Sequence, residues 1–186
     1  PCIRVAEAAK LVENTQRDIN IAFLNEVALL FNAMEIDTHD VVDAMDTKWN
    51  ALRFRPGLVG GHCIAVDPYY FIDRMNTYGI NSHLISSARS VNESMGNFVA
   101  SQVIKYLLLS GKSAKDVRVA ILGITFKENC PDIRNTKVID IIQELQNVGI
   151  KTIVSDPHAS KKAVKREFGI DLVDQEECRY VVFFAG

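Results

Sequence analysis

Cys63 is the residue in this 186-residue sequence whose neighbours best equip it for covalent chemistry. It stands in the run Gly60-Gly61-His62-Cys63-Ile64-Ala65-Val66-Asp67-Pro68. A thiolate attacks electrophilic carbon when it is accessible and sits in a favourable field. The two glycines let backbone approach a ligand closely, and Asp67 is placed to hold or deprotonate a water beside the sulfur. The competing reading is a small hydrophobic thiol packed in a tight turn. Cys2, Cys130 and Cys178 have no comparable setting. Lys10 and Asn14 are four apart on a helical stretch and share one face, with Glu7 a turn earlier. They read either as an exposed Glu7–Lys10 pair and its neighbour, or as an ammonium and an amide donating to one developing oxyanion. His62 adjoins the thiol, while His39, His83 and His158 are isolated. No second His or Cys lies at ligand spacing, so no metal site is expected.

A second group of candidates follows the apolar run 117–122. Gly123 opens a polar stretch that carries Lys127, Asp132 and Arg134, and no further glycine comes before Gly149. A tight pyrophosphate turn of the Gly-x-Gly-x-x-Gly kind is therefore not written there. Lys127 and Arg134 are instead expected to meet phosphates as side chains. Asp156, at the end of a second apolar run, stands where a ribose-reading acid would stand. Asp-Pro is equally plain turn chemistry.

These residues need elements to hold them. Leu11, Ile19, Phe23, Val27 and Leu30 recur at helical steps and predict a helix over 5–34. A short helix is expected over 38–45, capped by Asp37 or Thr38. Residues 49–68 hold Pro56, Gly57, Gly60, Gly61 and Pro68 and read as a long ordered loop. Helical spacing returns over 82–109, and Gly111 suits its C-terminal end. Then the period switches: strand 117–122, helix 136–148, strand 151–155, helix 160–168, extended residues 170–173 and strand 180–184. Strand alternating with helix is the opening of a doubly wound parallel sheet. The expected architecture is an α-helical domain over 1–111, then the start of an α/β, Rossmann-like domain over 112–186.

Composition narrows the function classes. With 21 Lys+Arg against 23 Asp+Glu the net charge is −2, and without a basic run nothing favours nucleic acid. No apolar stretch reaches the roughly 18–20 residues of a membrane span. Four scattered cysteines and the lack of an apolar leader suggest the cytoplasm. The abrupt start and end suggest a piece of a longer chain. The stripe over 82–109, which includes Leu84, Ile85, Ala88, Met95, Val99, Val103 and Leu107, is wider than one neighbouring helix covers, so a homodimer on this helix is expected.

Taken together, Lys10-x-x-x-Asn14, Asn25-Glu26, the run from Phe54-Arg55-Pro56-Gly57 through Gly60-Gly61-His62-Cys63 to Asp67-Pro68-Tyr69-Tyr70, and Gly123-Ile124-Thr125-Phe126-Lys127 with Asp132-x-Arg134 resemble the UDP-glucose/GDP-mannose dehydrogenase family. The form Glu13-Asn14-Thr15-Gln16-Arg17-Asp18-Ile19-Asn20 is most similar to its bacterial UDP-N-acetylhexosamine 6-dehydrogenases, which make uronic acids for surface polysaccharides. The resemblance implies an N-terminal NAD domain, absent from these residues, a central dimerisation domain and a nucleotide-sugar domain. It implies two oxidations of a primary alcohol through a Cys63 thiohemiacetal and thioester. Lys10 and Asn14 would stabilise oxygen charge, and Asp67 would assist proton transfer. It turns Phe54, Arg55, Gly57, Gly60, Gly61 and Lys127 towards the UDP-sugar and Arg134 towards the NAD phosphates. By itself the chain is not expected to bind NAD usefully, and its alternative role is a non-catalytic, dimerising, nucleotide-sugar-binding module.

Overall fold

The computed structural model describes residues 2–111, 113–114, 117–178 and 182–184. They form two compact units, Pro1–Val59 with Cys63–Glu93, and Gly60–His62 with Ser94–Gly186.

The first unit is helical. Helix α1 (Ile3–Met34) runs its full 32 residues without Gly or Pro. It ends where Glu35 turns left-handed at φ 58° and donates its N–H to the Phe31 carbonyl. Its buried face is not the apolar stripe seen in the sequence. Asn14, Thr15, Asp18, Ala22, Leu24 and Asn25 are buried, while Phe23 and Leu30 are more than half exposed. Asn14, Asp18 and Asn25 go inside because partners from other helices meet them there, as set out below, while Leu11, Ile19 and Val27 stay half-buried. Helix α2 (Thr38–Asp46) is capped by Asp37, whose side chain accepts the His39 N–H at 2.7 Å. Residues 49–66 carry no regular element. Helix α3 (Asp67–Thr77) was hidden in the sequence by the glycines before it and by Pro68. Proline is tolerated in a first turn, where its missing N–H has no intrahelical partner anyway, so Asp67-Pro68 starts a helix instead of ending a loop. Helix α4 (His83–Leu109) follows, and the division between the units falls within it.

The second unit is α/β. Strands β1 (Arg118–Leu122), β2 (Lys151–Ser155) and β3 (Val182–Phe184) form a parallel sheet of order β2-β1-β3. Ala120 pairs with Ile153 on one side and Val182 on the other. The expected strand 180–184 begins on Tyr180 and Val181, which lie outside the described residues. Between β1 and β2, helix α5 (Val138–Asn147) buries Val138, Ile141, Ile142 and Leu145, each worth about 1.5–3 kcal/mol of apolar burial. Helix α6 (Lys161–Phe168) is capped by Ser160 and closed by Gly169 at φ 72°. Residues around Leu172 make only an isolated bridge to Val154. Met95, Val103 and Leu107 of the expected dimer stripe are buried. Gly96 lies so close to α5 that a Cβ there would stand 2.8 Å from that of Asp140.

Candidate functional site

In the first unit three sequence-selected residues meet. Lys10 Nζ donates to Asp67 Oδ2 at 2.9 Å, and Asn14 Nδ2 donates to the same oxygen at 2.6 Å. Helix α1 brings both donors on one strip, and the first turn of α3 brings the acceptor. Asp67 and Asn14 are buried, and Lys10 is exposed. The hydrogen bond to Asp67 raises the Lys10 pKa against a smaller opposing effect of burial, and the fields of Asp67, Cys63 and Tyr70 add to it. Cys63 joins the cluster through its backbone: its carbonyl accepts the N–H of Val66 at 3.0 Å and of Asp67 at 2.8 Å. Its thiol is half-buried. An ammonium has three N–H donors and a primary amide two. After their bonds to Asp67, Lys10 and Asn14 each keep donor capacity for a substrate oxygen.

The segment before the thiol is held from α1. The Asn25 side chain accepts the Gly57 N–H at 2.8 Å and donates to the Gly57 carbonyl at 3.0 Å. Arg55 pairs with Asp43 at 2.8 Å and Asp46 at 3.0 Å on α2, and Phe54 is half-buried. Asn25 carried no assigned role in the sequence. Its signal was a polar residue seven positions from Asp18, on the same side of α1.

In the second unit the glycine pair meets the loop after β1. A Cβ on Gly60 would stand 2.7 Å from the Asn135 carbonyl oxygen, and one on Gly61 would stand 2.7 Å from the Phe126 ring. Gly61 has φ +81°. Its N–H donates to the Arg134 carbonyl, and its carbonyl accepts from Asn135 Nδ2. The room these glycines leave is thus occupied by protein. Arg134 chelates Asp132 through Nε, Nη2 and its backbone N–H, which holds that carboxyl at about 2, well below its ordinary value. His62 Nδ1 lies 3.9 Å from Asp132. Lys127 is exposed on a cleft of about 330 Å³ at the carboxyl ends of β1 and β2, shared with Leu122, Thr125, Ser155, Asp156 and His158.

That cleft does not fit an NAD pyrophosphate. Strand β1 runs into Gly123 at φ +100° and then into irregular chain, and α5 begins only at Val138. The N–H groups of Ile124 and Thr125 are spent on Asp156 Oδ2, at 2.7 and 3.2 Å. Asp156 Oδ1 takes the N–H of His158 and Ala159. Burial pushes the Asp156 pKa up, but these four donors outweigh it and the net shift is down. A dinucleotide turn aims such donors at phosphate from the start of a helix; here they close the β1–β2 ends instead. Among the described residues no group of three His, Cys, Asp or Glu could hold a metal ion. No helix there is long and apolar enough to cross a membrane.

A helical unit bearing a cysteine turn, followed by a parallel α/β unit, is the arrangement of nucleotide-sugar dehydrogenases. Residues 4–94 match the central domain of the UDP-glucose/GDP-mannose dehydrogenase family, and residues 120–182 match its UDP-binding domain, so the chain belongs to that family. It is 51% identical over 185 residues to Protein CapL of Staphylococcus aureus, covering 98% of this chain and 44% of the relative. It is 51% identical over 168 residues to a UDP-N-acetyl-D-glucosamine 6-dehydrogenase of Salmonella typhi, covering 90% and 40%. Among solved structures, a UDP-D-ManNAc dehydrogenase from Pyrococcus horikoshii superposes with a TM-score of 0.77 at 30% identity, over 84% of this chain and 37% of that one. The chain thus spans less than half the length of the relatives it matches.

Proposed function

We propose that the protein containing this chain oxidises the 6-hydroxymethyl group of a UDP-N-acetylhexosamine to a carboxylate, with Cys63 holding the intermediate. The observation that carries this is the Lys10–Asn14–Asp67 cluster built onto the turn of Cys63. Two hydrides must leave C6 in all. NAD, which the family resemblance implies as their acceptor, is assigned to residues outside those described, because the β1 turn does not fit it.

The chain's own residues act on carbon and oxygen. Cys63 Sγ adds to the aldehyde carbon and forms a C–S bond, and the carbonyl oxygen becomes the oxyanion of a thiohemiacetal. The spare N–H groups of Lys10 and Asn14 cover that oxygen. Loss of the remaining hydride leaves a thioester. Water adds to its carbonyl carbon and gives a proton to Asp67, the C–S bond breaks, and the carboxylate departs as the thiol is restored. The covalent link keeps the aldehyde bound between the two oxidations. The segment of Phe54, Arg55 and Gly57 is assigned to the UDP-sugar; the family resemblance separately assigns Lys127, at its own cleft, to the substrate and Arg134 to the phosphates of an NAD held elsewhere. The product serves surface polysaccharide synthesis in the cytoplasm. The protein is a homodimer: Leu84 on α4 and Phe23 and Leu30 on α1 are each more than half exposed in the single chain.

A second reading for this chain in isolation, a nucleotide-sugar-binding module without activity, is supported by the commitment of the Ile124 and Thr125 N–H groups to Asp156. The test of the main reading uses the full-length protein with NAD and UDP-N-acetylglucosamine. Cys63→Ser is expected to keep the circular dichroism of the wild type and to release no uronic acid. Uronic acid at the wild-type rate would remove Cys63 from the mechanism.

A further inference from the structure

Four buried polar residues of the first unit form a chain of hydrogen bonds whose direction is set at one end by a charge. Arg89 Nη1 donates to Asp18 Oδ1 at 2.5 Å, and the two side chains are 2% and 0% exposed. Asn92 Nδ2 donates to the same oxygen at 2.7 Å and to the Asp18 carbonyl at 3.0 Å. Only the nitrogen of an amide donates, so these two acceptors fix which way Asn92 faces. Its oxygen is turned to Asn25, whose Nδ2 donates to it at 2.8 Å. The Asn25 nitrogen is committed to that side and also donates to the Gly57 carbonyl, while its oxygen accepts the Gly57 N–H. Reversing either amide would set two carbonyl oxygens or two NH₂ groups face to face.

We infer that this relay pins the 54–59 segment, and that Asp18, Arg89, Asn92 and Asn25 are positioning residues for the UDP-sugar. The inference rests on the substrate-binding reading of Phe54, Arg55 and Gly57 given above. Three observations support it. On the side where a Cβ would point, Gly57 has no neighbour within 4 Å, so nothing packs against it from there. The ion pair is also poorly made for stability alone. Asp18 Oδ2 and Arg89 Nε have no hydrogen-bond partner among the described residues, and a partly satisfied buried pair is often matched or bettered by apolar side chains of similar volume. Apolar side chains could pack α1 on α4, but they could not tell an amide which way to face. Finally, the charge at the head of the relay reaches the catalytic turn as well. The Arg89 guanidinium lies 5.5 Å over the Tyr69 ring, two residues beyond Asp67, and also pairs with Glu93. One buried cation thereby touches the helix that carries Asp67 and, through Asp18 and two amides, sets the segment that carries Arg55.

The test uses the full-length enzyme in two forms. The first is the double variant Asp18→Leu with Arg89→Met, which removes both charges of the buried pair together and leaves the Asn92 amide its bond to the residue 18 carbonyl. The second is Asn92→Ala, in the middle of the relay. Hydrogen exchange read by mass spectrometry is expected to speed up over 54–59 by about tenfold or more, the loss of roughly one net hydrogen bond. Exchange in β1 and α5 stays at the wild-type rate. KM for UDP-N-acetylglucosamine rises by a similar factor, more than kcat falls. A merely structural role would lower the melting temperature and leave both the 54–59 exchange and KM in place. Wild-type exchange over 54–59 in a folded variant overturns the relay, whatever happens to KM. Faster exchange with an unchanged KM upholds the pin and overturns the substrate-binding reading instead.

Discussion

Gly61→Ala is expected to destabilise the second unit by about 2–5 kcal/mol, in two separable parts. Gly61 sits at φ +81°, where an L-residue costs about 1–2 kcal/mol. Its new Cβ would also stand 2.7 and 2.8 Å from two carbons of the Phe126 ring. Overpacking of that kind costs about 1–3 kcal/mol. Native-state hydrogen exchange of the β1 and α5 amides reads the opening free energy of this unit alone. Phe126→Leu in the Gly61→Ala background removes the ring contact but not the left-handed backbone, so it should recover only the second part. Activity of the full-length protein should fall further than the unfolded fraction explains, because Cys63 lies two residues on. A Gly61→Ala cost below about 0.5 kcal/mol, the range of neutral surface changes, would refute the assignment of these glycines to close packing.

Two further outcomes follow from the charges and the apolar surface. A carbon-detected NMR titration of Asp132 should show a midpoint near 2 and, in Arg134→Met, a rise towards the ordinary 3.8. The pKa is depressed in the folded state, so the stability it contributes is present above about pH 3.8 and is lost as pH falls towards 2; a midpoint unmoved by Arg134→Met refutes the chelate. Light scattering should give the mass of a dimer, and Leu84→Asp should give that of a monomer. A wild-type protein that stays monomeric at every concentration rules out the α4 interface. Met95 is unsuitable for that test because it is buried within the chain.

The sequence by itself determined the order of elements apart from α3, the parallel α/β character of the second half and the cluster of candidates around Cys63. Each of these is a local signal. Apolar period separates α1 from β1, and Ser160 and Gly169 mark the ends of α6 by backbone chemistry that needs no partner. The spacing of Lys10 and Asn14 put them on one face, but only the fold brought Asp67 to that face, 57 and 53 residues away along the chain. Tertiary structure also decided which face of α1 is buried. Periodicity pointed to Phe23 and Leu30, whereas the chain buries Asp18 and Asn25, because Arg89 and Asn92 arrive from α4 to pair with them. A polar residue is worth burying only when its partner is present, and a partner more than sixty residues distant leaves no trace in a local pattern. The glycine pair makes the same point at closer range. Gly60-Gly61 announced that backbone would be approached closely, and only the folded chain could show that Phe126 and Asn135 make the approach.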